Sequence, residues 1–462
     1  MLTKLYRFGP SQQALLKGFV VAGDEAARIA EKLCAPDSPA HALAAARGLS
    51  LRTEKRSPGA LWVDTGLRWL HTAAARASVL QATEEVVSAL MDQVKAAGAL
   101  LLPNAVRPAQ PSGWRPFLCG DIHQVDASSD VEKATYCNLL RVHLPELLAL
   151  TGRAGVGPEG IEAVGSRRLC ESEEHLTARL FASVSPRYLE HLRRTLLRDD
   201  GIKRLELLDV NPNVSDAGAG PVELRFVDGQ IRPRTAFVHA LVFQALLMRA
   251  RRLVSQGRAV RNLPQRTVEQ QRSLVVAYGP AAVLERADAK PRDTQGREGR
   301  PQGRGKEGRG QDTRGRESRG PEGKGKDGGD GTRSGGLARD RLLELLEDLR
   351  LEFIALEASY DELAPIVLGA NLRAVGLLGL ENEGALVREA LGKPPLEPGA
   401  HLAVIHQLMS KAQGPDPLTS YNERRFAKEA RTVREAWQVM LTPPRWQPAA
   451  KPAAQPSAGA AR

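Results

Sequence analysis

The chain has 462 residues, which is enough for one large domain with additional segments, and 42% of its residues are hydrophobic. Aromatic residues make up only 4%, so a core must be built mainly from Leu, Ala and Val, which disfavours an aromatic-rich β-sandwich. The net charge of +11 is compatible with anionic ligands, but by itself it does not indicate nucleic-acid binding.

The cysteines and the apolar runs exclude several classes of protein. Four cysteines are widely spaced and follow no CxxC pattern, so neither a zinc knuckle nor a disulfide framework is indicated. The first 30 residues lack a basic segment followed by an apolar one, and no run of about 18 apolar residues occurs. We therefore expect a cytoplasmic protein that does not cross a membrane.

The first hundred residues are predicted to contain helices and short strands. Residues 1 to 48 are expected to form an N-terminal helical segment, with a helix over Gln12 to Leu33. One or two strands are expected between Leu49 and Leu70. Apolar residues recur at helical spacing from Thr83 to Ala97, and Ala99 to Leu102 then predicts a short buried strand.

Strands and helices continue to alternate as far as about residue 285. A strand is expected over Pro116 to Val125, and a helical pattern runs from Asp130 to Gly152. The next expected elements are a helix (Pro186 to Leu197), strands (Leu205 to Val210 and Val222 to Val227) and a long apolar helix (Ala236 to Leu253). This interleaving predicts an α/β or α+β domain over residues 49 to 285.

The rest of the chain divides by composition. Residues 290 to 336 contain 15 glycines among 47 positions and no aliphatic or aromatic side chain, so residues 286 to 336 are predicted to be a disordered linker rich in Gly, Arg, Lys and Glu. Residues 337 to 442 predict a helical C-terminal region, with one helix over Leu337 to Leu363. Residues 443 to 462 predict a disordered Pro/Ala tail.

Three segments in one order carry a resemblance to a known family. They are Thr72 to Ser78 with Leu100 to Pro108, then Phe117 to Asp126 with Asn138 to Thr151, then Leu208 to Pro212 with Pro221 to Asp228. Together they resemble the carboxylate–amine ligase family related to glutamate–cysteine ligase. The match covers about 180 residues and omits the first 45, the Gly-rich segment and the region beyond about residue 365.

The resemblance implies an α+β fold like the catalytic domain of glutamine synthetase, in which a curved antiparallel sheet with packed helices carries acidic metal ligands. It also implies ATP and Mg²⁺ as cofactors and an amino acid or peptide as substrate. Such ligases activate a carboxylate as an acyl phosphate, which an amine then attacks. Mg²⁺ prefers oxygen ligands, and arginine neutralises charge on the transferring phosphoryl group.

Glu223 and Arg225 are the first candidate site residues. They lie two apart on a predicted strand, so both side chains leave the same face. The resemblance makes Glu223 a catalytic residue or metal ligand and Arg225 a contact for phosphate or carboxylate. The alternative is an ion pair on the solvated face of an amphipathic strand.

His123 is the third candidate catalytic residue, because it occupies the position of a strand histidine in the family. Relatives typically carry a pair of histidines there, whereas this sequence has one, and a lone strand histidine more often serves a structural role. Asp121, two residues earlier, is a candidate metal ligand on the same face.

The expected metal site is incomplete in the sequence. Glu54 is the one candidate ligand in the first acidic strand, and a surface charge is the simpler interpretation. The carboxylate expected in Thr72 to Ser78 is absent, so Asp64 or Asp121 would have to replace it. Candidate cofactor contacts are Arg167 and Arg168, which follow a Gly-rich loop, and Asp228, which ends the third motif.

Three functions follow from these patterns. The first is an ATP-dependent carboxylate–amine ligase, and the second is a noncatalytic protein of the same fold that binds a peptide or partner protein, using C-terminal helices as a docking surface. The third, an RNA-associated protein, rests only on the Arg/Gly repeats. Because that segment lacks the aromatic residues that stack on bases and contains eight acidic ones, we expect no nucleic-acid partner.

Overall fold

The computed structural model describes residues 9–54, 57–103, 120–153, 156–157, 160–161, 165–171, 176–200, 205, 208–215, 218–285, 336–392, 397, 400–410 and 415–443. The predicted linker over residues 286 to 336 and the predicted tail over 443 to 462 lie almost entirely outside these residues. Within the described part, no helix is long and apolar enough to cross a membrane.

The architecture combines one antiparallel sheet with many helices, which confirms the predicted α+β class. The strands are β1 (Gln12–Ala22), β2 (Ser50–Thr53), β3 (Ala60–Asp64), β4 (Arg68–Trp69), β5 (Leu100–Pro103), β6 (Ile122–Val125), β7 (Val156–Gly157), β8 (Gly160–Ile161), β9 (Val210–Asn211), β10 (Val214–Ser215), β11 (Gly218–Ala219), β12 (Val222–Leu224), β13 (Val283–Leu284) and β14 (Gly336–Leu337). The main sheet has the order β2-β3-β1-β6-β12-β9, and β4 and β5 also pair with β1.

Sixteen helices in the described residues surround this sheet. They are α1 (Ala26–Cys34), α2 (Pro39–Ala46), α3 (Ala73–Ala96), α4 (Asp130–Val142), α5 (Leu144–Thr151), α6 (Arg167–Glu171), α7 (Pro186–Asp200), α8 (Pro233–Ser255), α9 (Gln265–Tyr278), α10 (Ala338–Asp348), α11 (Arg350–Ala355), α12 (Tyr360–Ala374), α13 (Glu383–Leu391), α14 (Ala400–Ser410), α15 (Pro417–Arg425) and α16 (Ala427–Leu441).

The prediction of a helix from Gln12 to Leu33 is wrong for its first half. β1 pairs with β3 and β4 along one edge and with β5 and β6 along the other. Its side chains are also buried on both faces of the sheet, from Gln13 to Val21. The sequence of a strand that is buried on both faces is a continuous run of apolar residues. Periodicity alone does not distinguish such a run from a buried helix. The helix α1 begins only at Ala26, after Gly23 has ended the strand.

Two predicted helices are interrupted. The pattern from Asp130 to Gly152 forms α4 and α5, which meet at His143, because Pro145 has no backbone N–H to continue the first helix. The segment from Leu337 forms α10 and α11 and then begins a new helix at Tyr360, after Glu357 adopts a positive φ of 54°. The predicted helices at Thr83, Pro186 and Ala236 are confirmed.

The side chains of the sheet separate into two faces. Leu15, Phe19 and Val21 of β1 pack with the helices α1, α2 and α3, and we call this the helix face. Ala14, Leu16, Ala60, Trp62 and Ile122 form a separate cluster made of strand residues alone, and we call their side the far face.

The C-terminal region is part of the same core. Buried residues of α10, α11, α12 and α16 belong to one apolar cluster with α4, α5 and α8, while Val387, Ile405 and Met409 pack with the helix face of the sheet. The apolar faces of the C-terminal helices, expected as a docking surface, are therefore used inside the molecule.

Candidate functional site

Glu223 lies on the far face, in a row of polar side chains that crosses three strands. The register places it beside Gln124 of β6 and Asn211 of β9, with Ala14 of β1 at the end of the same row. Alternation of side chains puts the neighbouring residue Leu224 on the helix face. The strands β6, β12 and β9 thus together supply the surroundings of one carboxylate.

The carboxylate of Glu223 accepts four hydrogen bonds. Gln124 Nε2 donates to Oε1 at 2.9 Å, and Asn211 Nδ2 donates to Oε2 at 3.2 Å. Arg225 donates to Oε2 from Nη2 at 2.9 Å and from Nε at 3.2 Å. Three of these bonds reach Oε2 and one reaches Oε1, so the carboxylate is held mainly through Oε2. The structure brings Glu223 and Arg225 together as expected, with 22% of the Arg225 side chain exposed.

His123 lies on the opposite side of the sheet from Glu223. It pairs in register with Leu15 and Leu224, and its ring packs edge-on against Phe243 of α8 at 4.9 Å between centroids. Burial, with smaller effects of His239 and Lys17, holds the pKa of His123 well below its usual range. A single surface shared by His123, Glu223 and Arg225 is therefore not formed, because one residue of displacement along β6 reverses the face.

Asp121 is buried beneath the sheet in an ion pair. Its Oδ1 accepts from Lys17 Nζ at 3.0 Å and from the Gly18 backbone N at 3.1 Å, and its Oδ2 accepts from the Gln230 N at 3.0 Å. The preceding residue must be glycine, because a Cβ at Gly120 would lie 1.7 Å from the carbonyl oxygen of Val227. This close approach of two backbones positions the Asp121 carboxylate.

Arg168 and Asp228, the expected cofactor contacts, form a second buried ion pair. Arg168 Nε donates to Asp228 Oδ1 at 2.9 Å, and Ser166 Oγ and the Arg153 backbone N also donate to this carboxylate. Both side chains are about 2% exposed, so in this arrangement they hold the loop before α6 to the segment after β12. Arg167 is the first residue of α6, and its side chain lies outside those that the structure describes.

Glu54 lies at the other end of the sheet from Glu223. It follows β2 and accepts a long hydrogen bond of 3.4 Å from the Trp62 indole in the far-face cluster. Asp64, the possible substitute ligand, pairs with Arg52 at 3.3 Å. Four strand spacings separate β2 from β12, a distance of roughly 19 Å at about 4.8 Å per strand.

The described residues do not fit the metal site that the resemblance implies. Oxygen ligands of one Mg²⁺ lie about 2.1 Å from the ion, so they must lie within roughly 4 Å of each other. Glu54 and Glu223 are too far apart, Asp121 is on the other face, and Oε2 of Glu223 already accepts three hydrogen bonds. Accordingly, no group of three or more His, Cys, Asp or Glu side chains suited to a metal occurs in the described part of the chain.

Sequence reasoning missed the residues that surround Glu223. Gln124 lies within the predicted strand Pro116 to Val125, and Asn211 directly follows the one at Leu205 to Val210. Only the pairing of β6, β12 and β9 shows that they meet at one carboxylate. Lys17 was missed for a different reason, because β1 was assigned to a helix. A lysine within an apolar strand is a signal for a buried acidic partner.

No family model matches the chain, and no curated protein matches its sequence. Among solved structures, the chain is similar to one in the crystal structure of the complex between prokaryotic ubiquitin-like protein Pup and its ligase PafA, with 8% sequence identity and a TM-score of 0.39. The similarity covers 94% of this chain and 68% of that chain. At this TM-score it carries no argument about activity, so the function has to be argued from the residues.

Proposed function

We propose that this chain is a noncatalytic protein with a ligase-like fold and that it binds a peptide or partner protein on the far face of its sheet. The observation that carries the proposal is the hydrogen bonding of Glu223 to Gln124, Asn211 and Arg225, in a part of the chain whose described residues contain no group of three or more possible metal ligands. A carboxylate whose Oε2 accepts two hydrogen bonds from one arginine is suited to hold that arginine in place, whereas the same oxygen would have to give up some of its bonds to bind Mg²⁺.

The far face has groups suited to a peptide. Arg225 and Gln124 are partly exposed beside Glu223, and Arg52 is half-exposed at the other end of the sheet. The Arg225 side chain is 22% exposed and is held in place by Glu223, and a planar guanidinium group favours carboxylate and carbonyl oxygens of a bound chain. Such binding requires neither ATP nor a metal.

A second candidate function is the ATP-dependent carboxylate–amine ligase acting through an acyl phosphate on an amino acid or peptide. It is favoured by the position of Glu223 and Arg225 together on one face within the motif that resembles the ligase family. This candidate function would also require a curved, glutamine synthetase-like sheet and a catalytic role of His123. Its ATP site would lie at Arg167, Arg168 and Asp228. The described residues offer it no set of magnesium ligands.

Calorimetry with ATP, in the presence and absence of Mg²⁺, separates the two functions. The proposal predicts no metal-dependent binding of ATP and no ATP turnover with amino acids or amines as acceptors. Tight Mg²⁺-dependent binding that is lost in Glu223→Gln would instead establish the ligase and overturn the noncatalytic assignment.

The binding surface is tested with a displayed peptide library, followed by cross-linking of the selected peptides and identification of the attached residues. We expect attachment near Arg225, and an affinity about tenfold lower for Arg225→Gln, the usual effect of losing a hydrogen bond to a charged group. Arg187→Gln on α7 is the matched control, because Arg187 is an exposed arginine remote in sequence from the far face. Equal affinity of the two variants would exclude Arg225 from the surface.

A further inference from the structure

Arg225, the cation of the proposed peptide surface, stands where the chain leaves the sheet. β12 ends at Leu224, one residue before it. Residues 226 to 232 follow without forming a helix or strand, and all of them are buried. Buried main-chain groups need hydrogen-bond partners, and outside a strand ladder side chains can provide them.

A buried arginine holds the carbonyl group of Arg225. Arg168 Nη2 donates to the carbonyl oxygen of Arg225 at 3.1 Å and to that of Val227 at 3.2 Å. The Arg168 side chain is 2% exposed, and its Nε donates to Asp228 Oδ1 at 2.9 Å. One guanidinium group therefore fixes two carbonyl oxygens at the point where the chain enters its buried segment.

A second buried ion pair reaches the N–H group of the same residue. Arg225 N donates to the carbonyl oxygen of Asp209 at 2.9 Å. The Asp209 carboxylate is fully buried and accepts from Arg272 Nε at 2.6 Å and from Arg272 Nη2 at 3.0 Å. A bidentate pair of this kind fixes the orientation of both partners. The main chain of Arg225 is thus held on both sides by residues that are themselves held in ion pairs.

The two supporting arginines belong to helices that pack on each other. Arg168 lies on α6 and Arg272 on α9, and Ser166 N donates to the carbonyl oxygen of Val276 on α9 at 2.9 Å. A Cβ at Gly165 would lie 2.2 Å from the same oxygen, so only glycine permits this approach. The helices α6 and α9 therefore form one support behind Arg225.

We propose that Arg168 and Arg272 are positioning residues for Arg225, and that α6 and α9 thereby control the affinity of the far face. The inference rests on the proposed peptide surface. Glu223 orients the guanidinium group of Arg225, while the two buried arginines fix the main chain from which that side chain starts. If the main chain moved, the guanidinium group would be drawn away from Glu223, because β6 and β9 hold that carboxylate independently.

The first test measures the affinity for the peptide that the wild-type protein selects from the displayed library. We expect Arg168→Gln and Arg272→Gln to bind it about three- to tenfold more weakly, because a displaced guanidinium group loses part of a charged hydrogen bond. Arg168→Lys keeps a charged donor and should recover part of the loss. Neither arginine needs to touch the peptide for this result, since both side chains are at least nine-tenths buried.

The matched control is Arg76→Gln on α3, a helix that packs on the other face of the sheet. Arg76 is also buried, donates to one carboxylate, that of Glu362, and donates to the carbonyl oxygens of Leu70 and Leu356. Its loss removes a similar set of hydrogen bonds. The affinity of Arg76→Gln for the peptide should stay within about twofold of the wild type.

The second test needs no peptide. Arg225 Nε donates to Glu223 Oε2 at 3.2 Å, and the ¹⁵N–¹H NMR signal of this Nε group is identified by its loss in Arg225→Gln. We expect the signal to shift in Arg168→Gln and in Arg272→Gln, and to return towards its wild-type position in Arg168→Lys. It should not move in Arg76→Gln.

An unchanged Arg225 signal in both Arg168→Gln and Arg272→Gln would overturn the positioning role, and so would unchanged peptide affinity in both. An equal loss of affinity in Arg76→Gln would also contradict it, because the effect would then follow from reduced stability alone. If the wild type selects no peptide, the proposed surface fails, while the Arg225 signal still decides the positioning role. If Arg168→Gln does not fold, Arg272→Gln and Arg168→Lys provide the same comparisons.

Discussion

Lys17 and Asp121 form an ion pair that is fully enclosed by the protein, with 3.0 Å between Nζ and Oδ1 and no exposure of either side chain. Burial lowers the pKa of Lys17 and raises that of Asp121, while each partner opposes the shift of the other. The pair joins β1 to the segment before β6. Through Gln230 N, it also fixes the segment that leads to α8.

Removing one partner of this pair should destabilise the protein strongly. We expect Asp121→Asn or Lys17→Met to lower the free energy of unfolding by about 3–5 kcal/mol, because the remaining charge is buried without its counter-ion. The double variant should lose less than the sum of the two single variants. Urea unfolding measures all three, with the exposed pair Arg193–Glu190 as control, where Arg193→Gln should cost about 0.5 kcal/mol or less.

Buried histidines should make the protein sensitive to acid. Burial lowers the pKa of His239 to about 3, so in the folded state this group stays neutral as the pH falls from 6.5 towards 3. The unfolded chain binds the proton in that window, and the free energy of unfolding therefore decreases, by up to about 1.4 kcal/mol per pH unit for each such group.

The contribution of His239 is isolated by His239→Met, which removes the titrating group and keeps an apolar side chain of similar size. Its stability should fall less steeply between pH 6.5 and 4 than that of the wild type, as measured by urea unfolding at each pH. His191→Gln, at an exposed position of α7, is the control. A slope unchanged by His239→Met would contradict the assignment.

Glu383 at the start of α13 caps the first turn of α8, although 150 residues separate the two helices in sequence. Its Oε1 accepts from Arg232 N at 3.2 Å and from Thr235 Oγ1 at 2.6 Å, and its Oε2 accepts from Ile231 N. We expect Glu383→Ala to cost about 2–4 kcal/mol, because it leaves several buried donors unpaired. Thermal unfolding measures the loss.

The same contact predicts that residues 9 to 285 do not fold without the C-terminal region. A chain truncated after residue 285 loses Glu383 and the buried faces of α10, α11 and α12. It should show no cooperative unfolding transition. A truncated chain with a transition as sharp as that of the full protein would show that the sheet domain is independent.

The ends of the Gly-rich segment are held together by a strand pair. Val283 and Leu284 of β13 pair with Leu337 and Gly336 of β14, so everything between them closes a loop. Shortening this loop about sixfold, by replacing residues 288 to 333 with a four-residue Gly/Ser turn, should stabilise the fold by roughly 1.5 kcal/mol through a smaller closure entropy. Urea unfolding tests this, and RNA affinity should not change.

Local pattern was sufficient for several elements. Helical spacing of apolar residues predicted α3, α7 and α8, and period-2 alternation over Val222 to Val227 predicted that Glu223 and Arg225 would lie together, although the observed strand ends at Leu224. These features depend on residues within one or two turns of each other, so the sequence records them directly. The family resemblance predicted an α+β fold, in which helices pack on a sheet, and the structure belongs to this class.

Tertiary structure decided what these residues can do. β1 is a strand because it has neighbours on both edges, and His123 faces α8 because its register with Leu15 and Leu224 fixes its direction. Glu223 accepts hydrogen bonds from Gln124 and Asn211 because β6 and β9 bring these residues to it. The sequence by itself determined the strongly periodic helices, since their pattern is local. The neighbours and hydrogen bonds of Glu223 depend on the pairing of β6, β12 and β9, so only the assembled sheet determined them.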